Sequence, residues 1–114
     1  MYYLSTCSTC TRIIKELGIG DEFEYQDIKT EKITASQLTE MKKMAGSYET
    51  LFSRRSMKYR PMGLHEKELS EADYKKLILS EYTFLRRPVF IVGENIFVGN
   101  GANTVKAVAA ELKK

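Results

Sequence analysis

A small mixed α/β domain is the fold class this sequence predicts, and three observations predict it. An apolar and aromatic start, Met1-Tyr-Tyr-Leu4, runs through a small polar loop into a helical repeat and then into an alternating segment, the order strand, helix, strand. Near the other end, Val89-Phe-Ile-Val92 is followed by turn residues, a second apolar run at Ile96-Phe-Val98, and a last helix. Between these ends the periodicity is helical. The layout is βαβ, a helical insertion over about 34–82, then ββα, in one domain covering 1–114.

Each element has its own warrant. Met1 to Leu4 is apolar enough for a buried strand, and Ser-Thr-Cys-Ser-Thr-Cys after it supplies several residues able to cap a helix. Ile13, Ile14 and Leu17 recur at helical spacing, and Gly18 and Gly20 stop that helix. Phe23 and Tyr25 alternate with charged residues, which predicts a strand near Glu22 to Asp27, parallel to the first. Thr34-Ala-Ser-Gln-Leu opens a helix with Leu38, Met41 and Met44 on its apolar face and Gly46 at its end. Glu49 to Phe52 is a short helix or turn, and Arg60-Pro-Met-Gly63 is a turn. Ser70-Glu-Ala-Asp places acids in the first turn of another helix, where the macrodipole favours them. Its inward residues are Tyr74, Leu77, Ile78 and Tyr82. The final pair of strands turns at Gly93-Glu-Asn95, and Asn103 or Thr104 opens a last helix with Val105, Val108, Ala109 and Leu112 as its core face. Set the insertion aside and this is the thioredoxin pattern.

Composition narrows the function. The chain has 114 residues, a hydrophobic fraction of 43% and a charged fraction of 29%, the balance of a soluble globular protein. No apolar run approaches the ~20 residues needed to span a bilayer, and no signal-peptide pattern opens the chain, so a cytoplasmic location without membrane association is expected. The net charge of +3 is too small to argue for direct nucleic-acid binding. Arg54, Arg55, Lys58 and Arg60 cluster without an acid among them, and Asp21, Glu22, Glu24, Asp27 and Glu31 form an acidic stretch that reads as solvated surface.

The chemistry is carried by the only two cysteines, Cys7 and Cys10. In a reducing compartment such a pair is more often catalytic or metal-binding than a structural disulfide. A structural zinc site needs four ligands, and with His65 as the single histidine a zinc ion would need carboxylates or a second chain. Two inert thiols are the bland alternative. Cys10 lies three, four and seven residues before Ile13, Ile14 and Leu17, hence on the core face of the helix. Cys7 precedes the helix, where free N–H groups and the positive dipole end lower a thiol pKa. The pair is then asymmetric: Cys7 exposed and activated, Cys10 shielded and able to resolve a mixed disulfide. Arg12 lies close enough in sequence to add positive charge. Pro88 starts the strand expected beside the first one, so the Arg87–Pro88 bond faces the cysteine loop. A cis bond there and a trans proline at the start of an edge strand are both compatible with the sequence.

Cys7-Ser-Thr-Cys10, Phe52-Ser-Arg-Arg-Ser-Met-Lys58, and Leu85-Arg-Arg-Pro-Val-Phe-Ile-Val92 followed by Val98-Gly99 together resemble the arsenate reductase (ArsC)/Spx family over essentially the whole chain. The resemblance implies a thioredoxin-like fold. In the glutathione- and glutaredoxin-coupled arsenate reductases a cysteine at the first helix attacks arsenate and three arginines bind the oxyanion. Cys7 matches that nucleophile, Arg55 and Arg87 match two of the arginines, and Pro88 matches the family's cis-proline. Asn100 stands where the third arginine is expected, and Thr11 stands where the family tends to carry another, with Arg12 one residue later. The resemblance implies a small oxyanion or glutathione as ligand, glutathione, glutaredoxin or thioredoxin as reductant, no metal or organic prosthetic group, and a monomer. The Spx branch implies something else: a redox-sensing regulator that binds RNA polymerase, at the C-terminal domain of its alpha subunit. CxxC would be its sensor, and Gly46 lies near a polymerase contact. A glycine in that position is first of all a helix C-cap.

Overall fold

The computed structural model describes residues 1–20 and 23–113. The chain forms two units, one from Met1–Lys32 and Arg87–Lys114 and one from Ile33–Arg86.

The first unit holds the sheet. Strand β1 is Tyr2–Tyr3, helix α1 is Ser8–Leu17 and strand β2 is Gln26–Asp27. From the far end of the chain come strands β3 (Val89–Val92) and β4 (Asn95–Val98) and helix α5 (Ala102–Leu112). The strand order is β2-β1-β3-β4. β1 and β2 are parallel, with Tyr2 opposite Gln26 and Tyr3 opposite Asp27. β3 runs antiparallel to both β1 and β4, with Tyr2 opposite Val89. This is a thioredoxin-like mixed sheet, as expected from the sequence. β1 and β3 sit in the middle, and β3 is the most buried strand. Val89 and Phe90 are fully buried, and Met1 and Leu4 flank the short β1 as buried side chains. α5 packs on β3, β4 and α1. Met1, Ile13, Ile19, Phe90 and Val108 form the core between these elements, with Tyr3, Phe23 and Tyr25 at its edge. Phe23 meets Phe90 edge-on at 6.2 Å between ring centroids, a preferred aromatic geometry.

Several boundaries differ from the sequence reading. β2 is confined to Gln26–Asp27, and the expected start at Glu22 lies outside the described residues. The hairpin loop has two residues, not three. Asn95 pairs with Val92, so the turn is Gly93-Glu94, with Gly93 at φ 60°, a value glycine reaches without a Cβ clash. α5 begins at Ala102 with Gly101 as its N-cap, ahead of Asn103. No small polar side chain caps α1: its N-cap is Cys7, which makes no side-chain capping bond.

The second unit is helical. α2 (Ala35–Ala45) and α4 (Glu71–Ser80) both start in full capping boxes, Thr34 with Gln37 and Ser70 with Asp73, each satisfying otherwise orphan N–H groups. α2 ends at Gly46, φ 100°, so Gly46 acts as a C-cap. Helix α3 (Tyr48–Leu51) is followed by a long turn and a 3₁₀ segment, Leu64–Glu66. Leu38, Met41, Leu51, Phe52, Tyr74, Ile78, Phe84 and Leu85 are buried. The expectation for Tyr82 is corrected. The helical period stops at Ser80, a 3₁₀ turn spans Tyr82–Phe84, and Phe84 rather than Tyr82 enters the core, stacked on Phe52 at 5.2 Å.

Among the described residues no helix is long and apolar enough to cross a membrane.

Candidate active site

The loop between β1 and α1 is built by short-range bonds. The Cys7 N–H donates to Leu4 O at 3.1 Å, closing a turn over Leu4–Cys7. Cys7 then adopts the extended conformation of an N-cap, φ −87° and ψ 115°. The Thr11 N–H donates to Cys7 O at 3.2 Å, and its hydroxyl to Cys7 O at 2.9 Å and Ser8 O at 3.1 Å. Behind the loop, the Ser5 hydroxyl donates to the Asp27 carboxylate.

The two thiols are not bridged to each other, and they are unlike. Cys7 is half-buried, whereas Cys10 is 1% exposed on the core side of α1. Partial burial opposes the Cys7 thiolate. The N–H groups of Cys10 and Thr9, the Cys10 thiol and the Arg87 guanidinium outweigh it and hold the Cys7 pKa below its ordinary value. Cys7 makes no capping bond as a thiol, yet those N–H groups are the ones a helix start offers to an anion. Burial, reinforced by the charge on Cys7, pushes Cys10 up to about 11, against the Leu4 N–H and Arg87. So of two thiols one helical turn apart, Cys7 is easier to ionise than an ordinary thiol and Cys10 is harder.

Arg87 enters from the other end of the chain. It is half-buried and its Nε is buried. The Arg87–Pro88 bond is cis, the alternative that the sequence alone left open. Pro88 is fully buried, and its carbonyl accepts the Gly99 N–H at 2.9 Å. The first unit therefore brings Arg87 close to Cys7 and Cys10, with Pro88 next to Arg87 in the chain.

Of the other expected site residues, Arg12 and Asn100 belong to the same unit and Arg55 to the helical one. Arg12 is exposed on α1 and pairs with Glu16 at 3.7 Å. Asn100 is exposed in the bend after β4. Arg55 belongs to the Ile33–Arg86 unit, exposed in the turn after α3, where its N–H donates to Ser53 Oγ at 3.3 Å. The basic cluster around it is partly neutralised by Glu49, five residues before Arg54, and by Glu81 from farther along the chain. Arg54 bonds Glu49 at 3.2 Å and Tyr74 Oη at 3.0 Å, and Lys58 bonds Glu81 at 2.7 Å. His65 lies in the 3₁₀ turn, 3.6 Å from Glu66. Asp27 is the residue the sequence reading assigned to surface. Its one signal was its place at the end of a strand beside the cysteine strand.

Fold and site define a thioredoxin-like protein with an activated thiol at a helix start. The ArsC family model matches residues 2–108, and the chain belongs to the ArsC family. A protein from Bacteroides fragilis described as ArsC family related superposes with a TM-score of 0.76 at 18% identity, over 94% of this chain and 95% of that one. SACOL0876 from Staphylococcus aureus gives 0.71 at 25%, over 93% of each chain. A structure described as a possible arsenate reductase from Streptococcus mutans gives 0.63 at 26%, over 83% of each. No curated protein matches the sequence significantly. Family membership supports a thiol oxidoreductase.

Proposed function

We propose that this chain is a cytoplasmic, monomeric thiol–disulfide oxidoreductase acting on a small oxyanion or on glutathione-type disulfides, in the manner of the glutathione- and glutaredoxin-coupled arsenate reductases. One observation carries the reading: Cys7 is depressed and Cys10 raised within a single turn of α1, beside Arg87. A low-pKa thiol is the nucleophile and a protonated neighbour is its reserve.

With arsenate, the Cys7 thiolate attacks arsenic, an S–As bond forms and one oxygen leaves as water after accepting protons. A second thiol then attacks Cys7 Sγ. A disulfide forms, the S–As electron pair passes to arsenic, and As(V) becomes As(III) while two thiols are oxidised. With a glutathione disulfide the first attack displaces a glutathione thiolate instead. The second thiol is Cys10 or an external glutathione, and glutaredoxin or thioredoxin restores the dithiol. Once Cys7 is in an adduct its negative charge is gone, which removes one of the effects that keep Cys10 protonated. Arg87, beside Cys7, holds the anion through its guanidinium fork.

The test is arsenate reduction with glutathione/glutaredoxin and with thioredoxin, side by side. Cys7→Ser should abolish turnover with either reductant, and retained turnover would refute the reading. Loss in Cys10→Ser as well identifies an internal pair; retention there identifies an external resolving thiol.

The second thiol favours one other reading, an Spx-like redox switch. It requires capture of the C-terminal domain of RNA polymerase alpha that changes when Cys7 and Cys10 are oxidised, and no capture in either state would remove it.

A further inference from the structure

We infer that Asp27 is a positioning residue for Cys7: through Ser5 it fixes the loop that holds the thiol at the start of α1. The inference rests on the proposed role of Cys7 as nucleophile and extends it to a residue on another strand.

The geometry is a clamp. β2 lies parallel to β1, with Asp27 opposite Tyr3, and the Ile28 N–H donates to Tyr3 O at 3.0 Å. This ladder fixes the Asp27 backbone beside the last residues before the loop. One carboxylate oxygen then accepts the Ser5 hydroxyl, and the other accepts the Lys29 N–H at 3.2 Å. The carboxylate is thus held from its own side and reaches forward to Ser5. Ser5 is the first inner residue of the Leu4–Cys7 turn that the Cys7 N–H closes on Leu4 O. Leu4 is the anchor on the core side, buried at 7% exposure. Ser5 is exposed, so burial does not hold it; the Asp27 carboxylate does. Cys7 itself has no capping bond. Its place beside the Thr9 and Cys10 N–H groups depends on the path of the loop before it. A tether two residues upstream decides whether the sulfur stays over those donors.

Charge alone predicts the opposite behaviour, which makes the role testable. The charged and titratable groups acting on Cys7 are Cys10 and Arg87, and those at Asp27 include Lys29. If Asp27 acted only as a distant negative charge, removing it would make the Cys7 thiolate easier to form. If Asp27 positions the loop, removing it lets the sulfur leave its donors, and the thiolate becomes harder to form.

The readout is iodoacetamide alkylation of Cys7 in the reduced full chain as a function of pH, located on Cys7 by fragment mass spectrometry. Asp27→Asn and Ser5→Ala should each move the midpoint up by about half to one pH unit and slow alkylation near neutral pH about three- to tenfold. Ser5→Thr, which keeps the hydroxyl, should restore the wild-type profile. The double variant should be no slower than the slower single one. A downward move in Asp27→Asn, or an unchanged profile in Ser5→Ala, overturns the inference. Should Asp27→Asn fail to fold, the Ser5→Ala and Ser5→Thr pair decides alone. Alkylation needs no substrate, so this outcome is independent of whether Cys7→Ser abolishes reduction.

Discussion

Cys7 and Cys10 differ by where one helical turn places them. Cys10 faces the core, and its thiol is pushed up to about 11 from an ordinary 9.0, by burial first and by the Cys7 charge after it. An acid raised in the folded state keeps its proton longer when folded. Between about 9 and about 11 the unfolded chain has released this proton and the folded chain has not, so stability falls as pH rises through that window. The effect is of the order of 1–2 kcal/mol. Urea midpoints of the reduced protein should therefore drop more steeply from about pH 8.5 to about pH 10.5 than those of Cys10→Ala. Equal slopes would mean that Cys10 ionises as freely folded as unfolded. The asymmetry was legible in the sequence, because Cys10 is in register with Ile13, Ile14 and Leu17. The Asp27–Ser5 bond was not. No local pattern reports that a strand-end carboxylate faces a loop more than twenty residues earlier.

At the scale of elements, the helices divide by how they begin. α2 and α4 carry complete capping boxes, whereas α1 starts on a cysteine that caps nothing. Serine is among the best N-cap residues. Cys7→Ser should thus remove thiol reactivity and yet raise stability by about 0.5–1 kcal/mol, read as a higher urea midpoint at unchanged slope. A lower midpoint would show that the sulfur's packing outweighs the cap. Thr34 and Ser70 were readable from sequence because their partners stand three residues on. The N-cap of α1 was open in the sequence, because four serines and threonines surround Cys7 and any of them suits the role. The hairpin was likewise placed correctly but drawn one residue too long. Asn95 is a frequent turn residue, and only the pairing across to Val92 makes it a strand residue.

At the scale of the molecule, the chain divides into two units, each with its own buried aromatic centre. Phe90 lies in the sheet unit, against Phe23. Phe84 lies in the helical unit, stacked on Phe52. Truncating either to alanine should cost about 3–5 kcal/mol. If the chain is one cooperative domain, as its length suggests, Phe90→Ala and Phe84→Ala lower the same single transition whether helix content or tyrosine fluorescence is followed. Separate midpoints would mean that the units melt independently. Overall topology was legible because strand and helix periods are local. Phe84 was missed because a 3₁₀ turn breaks the helical period after Ser80, and extrapolating that period put Tyr82 inside. The acids that meet Arg54 and Lys58 were missed because Glu49 and Glu81 come from outside the basic cluster.

The sheet unit is assembled from both ends of the chain, with residues 33–86 in between. The ribosome therefore delivers the thiol pair early and its arginine late. A growing polypeptide that has not yet reached Arg87 has Cys7 without that guanidinium, and β1 without its antiparallel neighbour β3. Cys7 therefore meets its full set of thiolate-stabilising groups only after the last strands are made.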